Sequence, residues 1–283
     1  MTEPSPPTAR RSSHPREPLA EITLLKLGGS LLTDKQQRGS ARHEVIGRLA
    51  REIAAARPAM TDKLLVGHGS GSFGHWEASH HRLREGLREE AQRRGVSATQ
   101  AAAARLHRLV SEALIDAGET PFSIVPSSTL LTRFGLTRRF ALEPLVAALE
   151  GGFLPLLYGD VVMDSGQGAA VVSTEAIFAS LVQTLPRRRL AVRRVIWAGE
   201  TTGVHDREGR TVPLLTATTA ARLAFDLSGA AGVDVTGGIR LRVDTAARLA
   251  RRGVTSLLID GREPAVVERA LRGEEVPGTL VVP

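Results

Sequence analysis

Two lysines flank a glycine-rich turn near the start of the chain, and their spacing points to a role with phosphate groups. Lys26 and Lys35 lie nine residues apart around Gly28-Gly29-Ser30. The 283-residue chain carries 37 lysines and arginines, and only three of these are lysines. Because arginine supplies nearly every cation, a retained lysine is a candidate for a task that needs a compact ammonium instead of a planar guanidinium.

Glycine-rich turns recur directly after predicted strands. In an open α/β sheet, ligands bind at the carboxyl ends of strands, where backbone N–H groups can hold phosphate. Glycine lets the backbone approach an anion closely. One such turn is typical of any tight connection, but four of them beside two lysines predict a site that holds several phosphates. The turns are Gly28-Gly29-Ser30, Gly69-Ser70-Gly71-Ser72, Gly159-Asp160, and Gly237-Gly238 before a predicted helix.

Two common phosphate-binding patterns do not explain these turns. The Walker A pattern GxxxxGK[ST] is absent, which disfavours P-loop enzymes. Residues 69–74 match GxGxxG after a predicted strand, so a dinucleotide-binding domain is the natural rival. That domain needs an acid on the next strand about 20 residues later. Residues 84–100 are instead polar and helical in pattern, which disfavours this reading.

Composition excludes several classes of protein. No run of about 18 apolar residues exists, so we predict no membrane-spanning helix. The chain has no cysteine, which excludes disulfides and thiolate metal sites and favours a reducing, cytoplasmic location. The net charge is +7, but the arginines are spread along the chain and only 4% of residues are aromatic, so we predict no nucleic-acid partner. No HxH or HExxH spacing supports a protein-bound metal.

Apolar runs that alternate with helical patterns predict one α/β unit over residues 21–283, after a disordered tail at 1–20. The alternation is typical of a mainly parallel open sheet with helices on both faces. The predicted strands are 22–27, 63–67, 122–125, 153–158, 194–197, 255–259 and 279–282. The predicted helices are 43–57, 98–117, 142–149, 174–185, 216–227, 244–252 and 264–271, and residues 161–172 are predicted to form a hairpin.

Four motifs in the order seen here resemble those of the isopentenyl phosphate kinases, a branch of the amino acid kinase superfamily. The first is Lys26-Leu27-Gly28-Gly29-Ser30 with Thr33-Asp34-Lys35 behind it. The second, residues 68–75, reads HGSGSFGH and ends in the histidine that marks this branch. The others are Tyr158-Gly159-Asp160-Val161-Val162 and Asp234-Val235-Thr236-Gly237-Gly238. The resemblance covers essentially the whole chain after the tail.

The resemblance implies an αβα sandwich around a mainly parallel sheet, usually in a homodimer. It implies that residues from about 21 to 172 hold a phosphate acceptor and that residues from about 173 to 283 hold ATP. The reaction would transfer the γ-phosphoryl group of ATP to isopentenyl phosphate and give isopentenyl diphosphate. Mg²⁺ would be held mainly by the nucleotide phosphates.

The resemblance also assigns roles to individual residues. Lys35 would stabilise the transition state, Lys26 would neutralise phosphate oxygens, and His75 would hydrogen-bond the acceptor phosphate. The residues expected to contact the acceptor are Gly69, Ser70, Gly74, His75 and Gly159. Those expected to contact ATP are Lys26, Gly28, Gly29, Ser30, Gly71, Glu175, Glu200, Gly238 and Arg242.

Four of the positions discussed here depart from the family pattern. Glu175 and Ala176 stand where the family often has two aspartates, Glu200 takes an aspartate position, and Arg242 takes a lysine position. An arginine at a phosphate contact keeps the charge but changes the geometry. Glu175 is expected to orient one of the two motif lysines.

Alternative roles stay open for several of these residues. Lys26 can belong to a structural ion pair, Lys35 can be a solvated loop lysine, and His75 can lie near a helix N-terminus without a ligand. Asp160 and Asp164 either bind Mg²⁺ or serve in turns or caps. Lys63 is predicted to be solvated, and the six remaining histidines outside the motifs are predicted to lie at the surface: His14, His43, His80, His81, His107 and His205.

Alternative functions on the same fold also stay open. A sister kinase would act on another small phosphate, on a fosfomycin-like phosphonate or on an amino acid. A non-catalytic nucleotide-binding protein would retain the fold without the transfer.

Overall fold

The structure, a computed structural model, describes residues 20–206, 208–229 and 237–283. The predicted N-terminal tail lies outside these residues, apart from Ala20, which begins the first strand. Residues 234–236 of the fourth motif lie outside them as well.

Strands and helices alternate along most of the described chain. The described strands are β1 (Ala20–Leu27), β2 (Lys63–His68), β3 (Pro121–Ser123), β4 (Leu130–Arg133), β5 (Leu136–Phe140), β6 (Leu154–Tyr158), β7 (Asp160–Asp164), β8 (Gly168–Val172), β9 (Leu190–Gly199), β10 (Leu214–Thr216), β11 (Thr255–Asp260) and β12 (Thr279–Val282). The described α-helices are α1 (Gly29–Leu32), α2 (His43–Ala56), α3 (Gly71–His80), α4 (Glu90–Asp116), α5 (Pro126–Thr129), α6 (Glu143–Glu150), α7 (Thr174–Thr184), α8 (Ala217–Gly229), α9 (Gly237–Ala250) and α10 (Val266–Arg272).

Eight strands form the main sheet, in the order β10-β12-β11-β9-β1-β2-β6-β3. Each described pairing in it is parallel except that of β11 with β12. Leu24 packs in a core with residues of α7, α8 and α9 on one face, and Leu25 packs with residues of α2, α4 and α10 on the other. Since both faces are covered, β1 is a continuous apolar run. The predicted three-layer, mainly parallel fold is confirmed.

Four strands form a second, smaller sheet in the order β5-β4-β7-β8. The sequence predicts the antiparallel β7–β8 hairpin but not the β4–β5 hairpin, because most β5 side chains are exposed and leave no apolar pattern. The Asp164 carboxylate accepts hydrogen bonds from the N–H groups of Phe134 and Gly135 in one hairpin turn, at 2.9 and 2.8 Å. It also accepts from Gly166 and Gln167 in its own turn. Burial alone would raise the pKa of Asp164, but these hydrogen bonds outweigh it and lower the pKa. The structure therefore supports the turn role for Asp164.

Three helices begin earlier than their apolar pattern indicates. Helix α4 begins at Glu90, eight residues before the predicted start, because Glu89 and Gln92 form a reciprocal capping box. Helix α9 begins at Gly237 instead of residue 244. Helix α3 begins at Gly71, inside the stretch that the sequence predicts as a glycine-rich loop. No described helix is both long and apolar enough to cross a membrane.

Candidate active site

The carboxyl ends of four neighbouring parallel strands, β6, β2, β1 and β9, meet at one edge of the main sheet. Gly159, Gly69, Gly28 and Glu200 each come directly after one of these strands. The N–H group of each of the three glycines donates to a carbonyl oxygen of the adjacent strand, at 2.8 to 3.0 Å. The structure thus brings the first three predicted turns together.

The first two glycine turns are in backbone contact with each other. A Cβ atom on Gly29 would lie 2.5 Å from the nitrogen of Gly71, and one on Gly69 would lie 2.8 Å from the nitrogen of Gly29. No side chain fits between these backbones, so glycine is required at both positions.

Thr33 forms hydrogen bonds with both glycine turns. Its side chain is fully buried, and its hydroxyl donates to the carbonyl of Gly29 at 2.8 Å. The same oxygen accepts the N–H of Ser72 at 2.9 Å. The sequence singles out Thr33 only as part of a motif, since the contact joins residues 39 positions apart.

Several backbone N–H groups at this junction have no hydrogen-bond partner among the described residues. They include those of Gly29, Ser30, Ser70 and Gly71. An N–H group that is shielded from water and unpaired costs free energy, and successive amides of this kind form a concave site for an anion. The two turns therefore form a site suited to phosphate.

Adding a methyl group at Gly238 tests whether a phosphate approaches this residue, because the substitution should not strain the packing. Among the residues that the structure describes, a Cβ atom there would meet only the Arg242 side chain, at 3.9 Å. We expect Gly238→Ala to stabilise helix α9 slightly, by up to about 1 kcal/mol, yet to raise the KM for the ATP that the family resemblance implies, because the methyl group would occupy the path of its phosphate. Gly29→Ala should instead lower the free energy of unfolding by roughly 1–3 kcal/mol. Thermal unfolding and ATP kinetics measure both effects, and an unchanged KM in Gly238→Ala would remove that residue from the nucleotide site.

Lys26, the last-but-one residue of β1, forms a buried ion pair with Glu175 in the first turn of α7. Burial lowers the pKa of Lys26, the Glu175 carboxylate opposes this, and the charge of Arg242 adds to it. Burial would raise the pKa of Glu175, but Lys26 outweighs it and lowers the pKa. The direct contact favours the ionised pair, and the nearby guanidinium favours the charged form of Glu175 while it opposes that of Lys26. Of the two lysines that Glu175 is expected to orient, the structure pairs it with Lys26.

Arg242 lies beside this pair. Its Nε donates to the carbonyl of Gly238 at 2.9 Å, and its guanidinium packs against the backbone of Gly199, where a Cβ atom would overlap it. The Nη1 atom is buried and has no hydrogen-bond partner among the described residues. Burial lowers the pKa of Arg242, and the charges of Glu175 and Glu200 oppose this. A buried guanidinium with an unpaired N–H is a suitable contact for an anion.

Lys35 lies in the loop between α1 and α2, and its side chain is 52% exposed. Its ammonium is 3.6 Å from the carboxylate of Glu200, which also accepts a hydrogen bond from Arg42 at 2.9 Å. A loose, exposed ion pair of this kind contributes little stability. Lys35 is therefore free to move towards a bound phosphate.

His75 lies in the second turn of α3, with its side chain open to solvent. Partial desolvation by the surrounding protein lowers the pKa of His75 most, the positive charges of Arg84, Lys26 and Lys35 lower it further, and Glu175 opposes them. No described side chain hydrogen-bonds the ring. His75 is thus a neutral donor near both motif lysines at neutral pH.

Gly74 and Gly159, the remaining glycines predicted to contact the acceptor, differ in whether packing requires glycine. A Cβ atom on Gly74 would lie 2.6 Å from the side chain of Ser70, so packing alone requires glycine there. A Cβ atom on Gly159 would make only ordinary contacts, the nearest at 3.4 Å. The φ angle of Ser70 is −76°, so serine fits that position without strain.

Two predictions outside the motifs are wrong. His107 is buried instead of exposed, because it lies on the inner face of α4 with its ring 4.4 Å from that of Tyr158. Lys63 is not simply solvated, since its ammonium donates to the carbonyl of Leu149 at 2.9 Å. Of the other histidines, His43, His80 and His205 are exposed, His81 is half-buried, and His14 lies outside the described residues.

Comparison with known proteins shows the family to which this chain is similar. The profile of the amino acid kinase family matches residues 21–260. Isopentenyl phosphate kinase of Methanothermobacter thermautotrophicus is 32% identical over 270 residues, which are 92% of this chain and 98% of that protein. The Haloferax volcanii isopentenyl phosphate kinase is 33% identical over 78% of this chain and 86% of its own length. A crystal structure of an isopentenyl phosphate kinase superposes with a TM-score of 0.76 at 29% identity, over 92% of this chain and 99% of that one.

Proposed function

The chain belongs to the amino acid kinase family, and we propose that it acts as an isopentenyl phosphate kinase, transferring the γ-phosphoryl group of ATP to the phosphate of isopentenyl phosphate. The product is isopentenyl diphosphate. The observation that carries the proposal is the junction of two glycine turns, where several N–H groups without a partner among the described residues lie at the same sheet edge as Lys26 and Arg242. Two anions must be brought together in this reaction, and such a junction suits that task.

The chemistry needs positioning and charge neutralisation more than a covalent partner. Lys35 moves onto the transferring phosphoryl group and stabilises the charge that develops there. Lys26, oriented by Glu175, and Arg242 neutralise the phosphate oxygens of ATP. Glu200 holds Lys35 near the sheet edge until ATP binds.

The acceptor requires no strong general base. A phosphate monoester loses its second proton near pH 6, so its attacking oxygen is already ionised at neutral pH. His75 and the N–H group of Ser70 bind this phosphate and align it, and Gly159 closes over it. Because the pKa of His75 is lowered, its imidazole donates one hydrogen bond as the neutral form.

The nucleotide phosphates would hold most of the coordination of a Mg²⁺ ion, which would neutralise part of their charge. The two glutamates at the site fit a metal held by the nucleotide, because each is already paired with at least one cation. Glu175 is paired with Lys26, and Glu200 is paired with Lys35 and Arg42. Within the described ranges, no three acidic or histidine side chains are grouped as metal ligands. We further propose an acceptor-binding half at about 21–172, an ATP-binding half at about 173–283, a homodimer and a cytoplasmic location, on the family resemblance and the cysteine-free composition.

Comparing isopentenyl phosphate with isopentenol tests this function. With ATP and Mg²⁺, phosphorus NMR should show isopentenyl diphosphate forming from the monophosphate. The alcohol should react with a kcat/KM lower by roughly 10²-fold or more, since losing two hydrogen bonds to a charged group costs about 3 kcal/mol. Comparable rates with the two acceptors would refute the phosphate-acceptor mechanism.

A further inference from the structure

Two buried histidines lie directly beneath the glycine turn at residues 69–71, whose Ser70 N–H is proposed to bind the acceptor phosphate. His68 is fully buried at the end of β2, and His107 approaches it from α4. Nε2 of His68 is 3.1 Å from Nδ1 of His107, and Nε2 of His107 is 2.8 Å from the hydroxyl of Ser123. At the other end, Nδ1 of His68 is 3.0 Å from the carbonyl oxygen of Gly69. The ring of Tyr158 stacks on both imidazoles.

The chemistry of these atoms fixes the direction of every hydrogen bond in the chain. A carbonyl oxygen can only accept, so Nδ1 of His68 must carry the proton. Nε2 of a neutral His68 then accepts, so Nδ1 of His107 must donate. Nε2 of His107 accepts in turn from the Ser123 hydroxyl. Burial is the main reason that the pKa falls to about 4 for His68 and about 3 for His107, so both rings are neutral at physiological pH.

These hydrogen bonds form a relay that runs from Ser123 through His107 and His68 to the Gly69 carbonyl. The relay determines how the peptide between Gly69 and Ser70 is oriented. In a trans peptide the C=O and N–H groups point in opposite directions. Since the Gly69 carbonyl points inward to His68, the Ser70 N–H points away from the buried histidines. That N–H has no partner among the described residues. The backbone oxygen of His68 also accepts the N–H of Gly159 and the hydroxyl of Thr174, which fixes His68 itself.

We infer that His68 and His107 are positioning residues, and that the relay from Ser123 through both imidazoles to the Gly69 carbonyl holds the Ser70 N–H towards the acceptor phosphate. The inference rests on the proposed function, because it takes the anion at Ser70 to be the phosphate of isopentenyl phosphate. Neither histidine touches the substrate. Both act through the peptide that they orient.

Wild-type protein gives the first test, by NMR. Spectra of the ¹⁵N-labelled imidazoles, without ligand, should show His68 and His107 protonated at Nδ1 and unprotonated at Nε2 at neutral pH. Adding isopentenyl phosphate should move the Ser70 amide resonance strongly downfield as its N–H gains a charged partner. A protonated Nε2 on His68, or a Ser70 amide that does not move, would overturn the inference.

Paired substitutions of His107 give the second test. His107→Phe keeps a ring beside Tyr158 but removes the donor to Nε2 of His68, so the His68 imidazole loses one of the two hydrogen bonds that fix it and holds the Gly69 carbonyl less firmly. The KM for isopentenyl phosphate should rise about tenfold, the scale of one hydrogen bond to a charged group, with the KM for ATP within about twofold. His107→Asn keeps an N–H at the Nδ1 position and should restore the KM to within about threefold, on the same scale.

The outcomes separate this inference from the proposed function. Equal acceptor KM values in the Phe variant and wild type, with the Nε2 resonance of His68 showing that its hydrogen bond is lost, would show that the relay does not position the acceptor. A rise in both KM values, unrelieved by Asn, would indicate a merely structural role. If wild type does not phosphorylate isopentenyl phosphate at all, the proposed function fails, whereas the imidazole spectra still decide whether the relay exists. If His107→Phe does not fold, the wild-type spectra and the Ser70 shift decide the inference.

Discussion

Replacing Lys35 with alanine is expected to lower kcat by roughly 10²–10³ while changing the KM for ATP much less. The side chain is half exposed, and among the described residues it is held only by a loose ion pair to Glu200, so its removal leaves no buried unpaired charge and the fold should be unaffected. The loss should appear in kcat because the ammonium contacts the phosphoryl group chiefly during transfer. Steady-state kinetics with each substrate varied separately, together with thermal unfolding, measure these effects.

Lys63→Ala is the matched control for this experiment. Lys63 begins strand β2, at the opposite edge of the sheet from the glycine turns, and its ammonium contacts the end of α6. Its kcat should stay at the wild-type value. If Lys35→Ala changes kcat by less than about fivefold, or about 1 kcal/mol on the transition state, Lys35 is a solvated loop lysine.

Replacing His75 with alanine is expected to raise the KM for isopentenyl phosphate by roughly 10–150-fold, the scale of a hydrogen bond to a charged group worth about 1.5–3 kcal/mol. His75→Gln keeps an N–H donor and should retain much of the activity. The KM for ATP should change less in both variants. His80→Ala on the same helix is the control, since its exposed ring stacks on Trp76 and should leave the acceptor KM unchanged.

The pH dependence distinguishes a hydrogen-bonding His75 from a titrating one. Burial lowers its pKa below the ordinary value, so the imidazole is neutral at neutral pH, where the acceptor already carries its second charge. The acceptor KM should therefore fall as pH rises through about 6 and then remain constant. If both His75 variants lose kcat equally while the KM does not move, His75 transfers a proton and the mechanism is wrong.

The sequence predicts the sheet edge well because parallel strands place their carboxyl ends together. Glycine turns after β1, β2 and β6 therefore had to meet, and the alternation of strands with helices was enough to predict the mainly parallel fold. The backbone contact between Gly29 and Gly71 did not follow from any local pattern. It depends on how far two turns rise above the sheet, which only the packed structure determines.

Long-range polar contacts were beyond sequence reasoning for the same reason. His107 reads as a surface histidine because its polar partners among the described residues, His68 and Ser123, are 39 and 16 residues away. Thr33 reads as an ordinary motif threonine until Ser72 is seen beside it. The β4–β5 hairpin was missed because its turn is held by Asp164 from another hairpin, and because the mostly exposed side chains of β5 leave no apolar pattern.

The most direct test of the proposed function is a substrate panel with ATP and Mg²⁺. Wild-type protein is assayed for ADP release with isopentenyl, dimethylallyl and geranyl phosphates, with fosfomycin, and with glutamate. We predict the highest kcat/KM with isopentenyl phosphate and no measurable transfer to glutamate. A preference for glutamate or fosfomycin would contradict the proposed substrate while leaving the fold intact, and ATP binding without transfer to any acceptor would contradict catalysis itself.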